Sequence, residues 1–187
     1  MRPNPLMPIF VTMVFQGGPH TLGLLMSSLG VGALGGALYL AQRRSVRGLG
    51  AVILMAVTLF GVSLLTFAMS RLAWLSMAAL VAAGLGMMVQ MASSNTILQT
   101  IVDEDKRGRV MSFYAMALFG TVPFGSLLAG GLAHRIGTPA TLLVGGLACI
   151  VGALLFLRRL PELRRAVHPV YVSRGILPAV DPDTGAS

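Results

Sequence analysis

The stretch that decides the fold is VMSFYAMALFGTVPFGSLLAGGL, residues Val110–Leu132. These 23 residues include no Asp, Glu, Lys, Arg or His. A helix rises about 1.5 Å per residue, so a helix of this length reaches roughly 35 Å and exceeds the hydrocarbon core of a bilayer, about 30 Å. The stretch therefore predicts a membrane-spanning helix.

Four further stretches lack charged residues and histidine in the same way, over 19 to 22 residues: Leu22–Ala41, Leu49–Met69, Leu72–Ser93 and Pro139–Leu157. The whole chain is 55% hydrophobic and 11% charged, whereas a soluble domain has about 25% charged residues. This composition excludes a soluble enzyme, a disordered tail and a secreted disulfide scaffold. The sequence predicts an all-α, polytopic integral membrane protein with its transmembrane domain over residues 1–157.

The basic residues indicate the orientation of the helices. Loops on alternate sides of the bilayer place two basic residues, Arg71 and Arg135, on one face, apart from Arg2 near the N-terminus. The other face receives eleven: Arg43, Arg44, Arg47, Lys106, Arg107, Arg109, Arg158, Arg159, Arg164, Arg165 and Arg174. Cytoplasmic loops carry the excess of Lys and Arg, so this second face is predicted to be cytoplasmic. The orientation of the helices in the membrane thus explains the net charge of +8, and nucleic acid is not expected as a partner.

The two ends of the chain differ from the five spans. Leu6–Phe15 is an apolar run interrupted by Pro8 that superficially resembles a signal peptide, although no small-x-small cleavage site follows it. We favour the alternative that it is the outer end of a sixth helix. Residues 158–187 contain four prolines and little hydrophobic periodicity, which predicts a largely unstructured cytoplasmic tail.

Glycines are concentrated in the first span. Gly30, Gly32 and Gly35 form a G-x-G-x-x-G pattern, but a dinucleotide site needs a preceding strand, and these glycines lie inside an apolar span. Gly32-x-x-x-Gly36 has the spacing at which membrane helices approach closely. We expect this glycine face either only to pack against another helix, or to pack and also to slide against that helix during gating.

The fourth span carries a proline between glycines, at Gly120, Pro123, Gly125 and Gly130. Proline lacks an N–H and its ring clashes with the carbonyl four residues earlier, so a kink is predicted. The kink is either architectural or part of a helix that moves and lines a cavity.

The spans contain few strongly polar side chains. Gln90, Asn95 and Gln99 follow one another at steps of five and four, roughly on one helical face. This face is predicted to line a substrate cavity, to which Thr121 is added as a candidate, or else to make an interhelical hydrogen bond. The spans hold no ionisable group to carry a coupled proton.

The loop around Arg107, Gly108 and Arg109 is the most charged part of the chain. It is expected to be a salt-bridged cytoplasmic loop, or a latch of about 0–1 kcal/mol per exposed pair. The single cysteine and three scattered histidines indicate neither a metal site nor a cofactor. With no nucleophile–base pair, an enzyme is not expected.

Three segments in this order resemble the C-terminal half of major facilitator superfamily (MFS) transporters, in the bacterial drug and siderophore (enterobactin exporter-like) efflux branch. They are Gly36–Ala41 before Arg43, Arg107–Ser112, and Gly120–Gly131. The resemblance covers about residues 6–157 and implies a six-helix half: five full spans plus the end of a sixth. It implies that the Gly-rich spans meet the other half and that the span with Gln90 lines the cavity.

The resemblance implies secondary active efflux of a small amphipathic molecule across the bacterial inner membrane. The expected partners are the lipid bilayer, the small-molecule substrate and a missing N-terminal half. The chain is then a truncated exporter, a split subunit or a homodimerising half. The rival hypothesis is a non-transporting scaffold that binds a partner through the Gly32 and Gly36 face.

Overall fold

The computed structural model describes residues 19–43 and 48–173, without the side chains of residues 19 and 164–173. Five α-helices make up this part of the chain: α1 Pro19–Gln42, α2 Leu49–Met69, α3 Ala73–Ile101, α4 Glu104–Ile136 and α5 Thr138–Ser173. Each contains a segment long and apolar enough to cross a membrane. The predicted all-α membrane fold is therefore confirmed. The apolar run Leu6–Phe15 lies outside the described residues.

Helix α3 is the centre of the bundle. It packs against α1 and α2, whereas α1 and α2 barely touch each other. Helix α2 also packs against α5, and α4 contacts mainly α5. Consecutive helices are joined by short connections, so the chain runs back and forth between two ends of the bundle. We call the first end the one that carries Pro19, Ser70 and Gly137, and the second end the one that carries Gly48 and Asp103.

Helices α1 and α3 touch backbone to backbone. A Cβ atom added at Gly32 would collide with the carbonyl oxygen of Val81, and one at Gly84 would collide with that of Leu29. At Gly36, the same atom would lie 2.9 Å from the carbonyl oxygen of Leu85. Lipid offers no hydrophobic drive for helices to associate, so this close van der Waals contact holds the pair together.

Helices α2 and α3 form the small apolar core of the bundle. Val52, Ala56 and Val89 are buried there, and Leu85 packs against them. Gly86 lets the helices approach, since a Cβ there would lie 2.7 Å from the carbonyl oxygen of Ala56.

Helices α2 and α5 cross at a pair of glycines. A Cβ added at Gly61 would lie 3.0 Å from the carbonyl oxygen of Gly146, and one added at Gly146 would lie 2.9 Å from that of Gly61. The two contacts are reciprocal, as they would be if an approximate twofold axis passed between the glycines.

The connection between α2 and α3 is tight, since only residues 70–72 separate the two helices. Ser70 is buried, and its hydroxyl donates to the carbonyl of Leu72, 3.0 Å away, while accepting from the Leu72 N–H at 3.3 Å. The Ser76 hydroxyl donates to Ser70 at 3.1 Å. Arg71 and Trp74 are exposed beside this turn.

Most of the charged segment around the start of α4 is helical, which corrects the prediction that Arg107, Gly108 and Arg109 lie in a loop. Helix α3 continues to Ile101, and α4 begins at Glu104. Arg107, Gly108 and Arg109 therefore lie in the first turns of α4. A helix can continue beyond the apolar span, because charged residues at its end reach water.

The predicted unstructured tail is likewise corrected over residues 158–173, which belong to α5. Leu160 is buried and packs near Gly50 at the beginning of α2. This contact lies beyond the predicted end of the span at Leu157, so α5 has a packing partner there. Residues 174–187 lie outside the described part of the chain.

Candidate functional site

The site that the helices build most clearly is a face of α3 turned away from α1 and α2. Met87, Gln90, Met91 and Ser94 follow the spacing i, i+3, i+4, i+7 and so lie on one face. Met87 is 51% exposed and Met91 37%, while Gln90 and Ser94 are partly exposed. We call these four residues the α3 open face.

Gln90 is the strongest polar group of this face. Its amide makes no side-chain hydrogen bond to the residues that the structure describes. An amide offers two donors and two acceptor lone pairs, and leaving them unpaired in an apolar setting is unfavourable. Gln90 is thus available to a ligand or to another segment, and its role as a cavity residue stays a prediction.

Two methionines, Met87 and Met91, flank Gln90 on the α3 open face. Their thioethers are polarizable and flexible, so they adapt to apolar and aromatic molecules of different shape. The available signal was their spacing from Gln90, three residues before it and one after it. A soft apolar surface around one amide suits an amphipathic ligand.

Asn95 and Gln99 form a separate polar pair farther along α3. The Gln99 amide donates to the side-chain oxygen of Asn95 over 3.1 Å. Successive residues of a helix turn by about 100°, so Asn95 is rotated about 140° from Gln90. The structure joins Asn95 to Gln99 but does not bring Gln90 onto the same face.

Thr121 does not join these residues. It lies on α4, which packs mainly on α5, and its hydroxyl donates to the carbonyl oxygen of Ala117, 2.5 Å away. Such a bond to its own helix satisfies the hydroxyl without a functional partner.

Ser93 is a buried polar residue that sequence reasoning missed. It is fully buried on α3, and its hydroxyl oxygen has no hydrogen-bond partner among the described residues. Serines in apolar helices usually donate to the carbonyl four residues earlier, as Ser63 does to Leu59 at 2.7 Å. The sequence gives no signal that separates Ser93 from Ser63.

The predicted gating and packing glycines fall into two groups. Gly32 and Gly36 are closely packed against α3, and whether this face also slides during gating stays a prediction. The others predicted for packing have no described atom near a Cβ added to them: Gly30, Gly120, Gly125 and Gly130. Pro123 stands inside α4, and the predicted kink stays a prediction.

Helix α4 is the least packed element of the described bundle. It has no buried residue, and large apolar side chains such as Phe119, Phe124 and Leu127 are about 70% exposed. The glycines of α4 therefore lie in an accessible face, unlike Gly32 and Gly36 of α1.

The second end of the bundle concentrates positive charge. Arg43 donates to the Tyr39 hydroxyl at 3.3 Å, and Arg107 lies 3.9 Å from the Glu104 carboxylate. Glu104 and Asp105 occupy the first turn of α4, where carboxylates interact favourably with the helix dipole. The described residues contain no group of three His, Cys, Asp or Glu placed to hold a metal ion.

Comparisons with known proteins agree with this architecture. The family described as "Transmembrane secretion effector" matches residues 4–183. The chain is 31% identical over 155 residues to the "Multidrug efflux pump Tap" of Mycolicibacterium fortuitum, a match that covers 81% of this chain and 37% of that protein. No solved structure matches. The chain spans well under half of that relative, and the family match covers nearly all of the chain. The chain therefore belongs to the transmembrane secretion effector family of MFS-type transporters.

Proposed function

We propose that the chain forms the second half of an exporter that moves a small amphipathic molecule, of the drug or siderophore class, out of the cell. The α3 open face carries this proposal, since it combines one unpaired amide with exposed thioethers inside a membrane-spanning helix. The chain's family membership and its likeness to a multidrug efflux pump support the same function.

The described helices supply one wall of a cavity. A substrate that passes between two walls needs a second set of helices, and MFS transporters place their substrate site between two six-helix halves. The proposed partner is therefore an N-terminal transporter half, and the coupling ion acts through residues beyond these helices. The proposed location is the bacterial inner membrane, with the second end of the bundle and the C-terminus in the cytoplasm.

A non-transporting scaffold is less consistent with the packing. That hypothesis needs the face of Gly32 and Gly36 for a partner protein. Helix α3 of the same chain occupies this face, so it is not free.

The test is ethidium efflux from loaded cells of the source bacterium. The change Gln90→Leu is made at the chromosomal locus, so any further part of the transporter is present. We expect the efflux rate to fall about 3- to 10-fold, the equivalent of one hydrogen bond of roughly 1 kcal/mol. The control Thr58→Val also removes a polar group from a span, but Thr58 is exposed on α2 and bonds only to its own helix.

Deletion of the locus sets the baseline of the assay. Unchanged ethidium efflux on deletion would contradict the proposed export of amphipathic drugs. Equal loss in the Gln90 and Thr58 variants, at equal protein levels, would contradict the role of the α3 open face.

A further inference from the structure

The α3 open face is divided into two stripes. Because a helix turns by about 100° per residue, Met87 and Met91 lie within about 40° of each other, and so do Gln90 and Ser94. The polar pair is rotated by about 60° from the methionine pair. The two members of each pair are about 6 Å apart along the helix axis. An apolar stripe and a polar stripe therefore run side by side along α3.

Ser94 is the second unpaired polar side chain of this face. Thr96 and Thr100 on the same helix donate to the carbonyl oxygens four residues earlier, at 2.9 Å and 2.8 Å. Neither Ser94 nor Gln90 makes a side-chain hydrogen bond to a residue that the structure describes. A hydroxyl and an amide one turn apart thus keep their hydrogen-bonding capacity for one common partner.

The face carries no charge. Helix α3 contains no Asp, Glu, Lys, Arg or His from Ala73 to Ile101. A formal charge of a ligand placed against Gln90 and Ser94 would stay unpaired in an apolar setting, which is strongly unfavourable. Uncharged polar groups match the face, and a cation such as ethidium can meet it only through an uncharged part, such as an amino group.

The methionine stripe favours an aromatic ring system. Met87 and Met91 are 51% and 37% exposed, and thioether sulfurs make favourable contacts with aromatic rings. Two thioethers about 6 Å apart along the helix can contact the two ends of one fused ring system. A ligand of this shape lies along α3, and one of its long edges then faces Gln90 and Ser94.

We propose that the α3 open face binds an elongated, planar aromatic molecule whose polar edge is uncharged. The ring system lies on Met87 and Met91, and two donor or acceptor groups of one edge bind Gln90 and Ser94. This assignment rests on the proposed export function and narrows its substrate class. It also makes Ser94 a specificity-determining residue beside Gln90.

The test measures binding, and its probe is 4-amino-1,8-naphthalimide. This molecule is neutral, planar and fluorescent, and its two carbonyls and imide N–H share one edge. It is titrated onto the full transporter purified from the source bacterium with any further part bound, and the change in fluorescence gives the Kd. We expect Gln90→Leu and Ser94→Ala each to weaken binding about 3- to 10-fold, as the loss of one hydrogen bond does.

A matched variant and a matched ligand serve as controls. Thr96→Val also removes a hydroxyl from α3, but Thr96 is rotated by about 180° from Met87 and bonds to its own helix, so binding should not change. The ligand 1-aminoanthracene is planar but lacks the imide edge. Its binding should ignore Gln90→Leu and Ser94→Ala and should weaken several-fold in Met91→Ala. Each variant is first shown to elute as a single species in detergent.

Other outcomes overturn the assigned ligand class. They are equal sensitivity of both ligands to Gln90→Leu and Ser94→Ala, an equal loss in Thr96→Val, and no measurable binding of the naphthalimide to the unchanged protein. Deletion of the locus tests the proposed function separately. If deletion abolishes ethidium efflux while naphthalimide binding ignores Gln90 and Ser94, the function stands and the ligand class is wrong. If deletion leaves efflux unchanged, the proposed function is wrong whatever the purified protein binds.

Discussion

Gly32 and Gly30 stand two positions apart in α1 and have different surroundings. A Cβ at Gly32 would meet the backbone of α3, whereas a Cβ at Gly30 would meet no described atom within 4 Å. The sequence predicts a packed small-residue face but cannot say which glycines touch a neighbour, because the partner helix is known only once the bundle is assembled.

A pair of alanine variants measures this difference. Gly32→Ala is expected to destabilise the bundle by about 1–3 kcal/mol, since the added methyl group must push α1 away from Val81. Gly30→Ala should be neutral or slightly stabilising, because alanine favours the helix. Midpoints of thermal denaturation in detergent, read from size-exclusion profiles of heated samples, compare the two. Equal midpoints would contradict the packing of α1 on α3.

The polar residues show the same limit of sequence reasoning. The rarity of a strongly polar residue in an apolar span predicts Gln90 as a cavity residue, and the structure shows its side chain partly exposed on α3. The steps of five and four residues that lead from Gln90 to Asn95 and Gln99 suggest a single face only if the rotation of about 100° per residue is not followed closely. Ser93, the most buried polar residue described, has no distinguishing feature in the sequence.

At the scale of the elements, hydropathy predicts the spans well and their ends poorly. All five predicted spans are helical, apart from Leu72 at the N-cap of α3, yet α3 runs to Ile101 and α5 to Ser173. A span predicted from hydropathy ends where charged residues begin, because hydropathy measures only how well a segment fits the hydrocarbon core. A helix stops where its backbone loses its hydrogen bonds or its packing partner, and neither coincides with the edge of the membrane.

The contact at Leu160 tests why α5 is so long. Leu160→Ala removes a buried side chain that lies beyond the apolar span, and it is expected to cost about 2 kcal/mol or more. Leu163→Ala, three residues later and 43% exposed, should change stability by less than about 0.5 kcal/mol. Thermal denaturation in detergent gives both values. Similar losses in the two variants would show that the extension of α5 is not held by α2.

At the scale of the whole molecule, the charge asymmetry predicts which end of the bundle faces the cytoplasm. In a Cys149→Ser background, Arg71→Cys at the first end should react with an impermeant thiol reagent in intact cells. Asp105→Cys at the second end should react only after the inner membrane is opened. Both native side chains are exposed, whereas Ser70 is buried and would be a poor reporter. The reverse order of labelling would invert the topology.

The central position of α3 has a consequence for how the chain is made. Among the described helices, α1 and α2 barely touch and both pack against α3, so neither can make its contact with α3 until that later helix has been synthesised. Until then, we expect Gly32 and Gly36 of α1 to contact lipid or the insertion machinery. We therefore expect α1 and α2 to enter the bilayer before they are packed, and the arrival of α3 to bring them into one bundle.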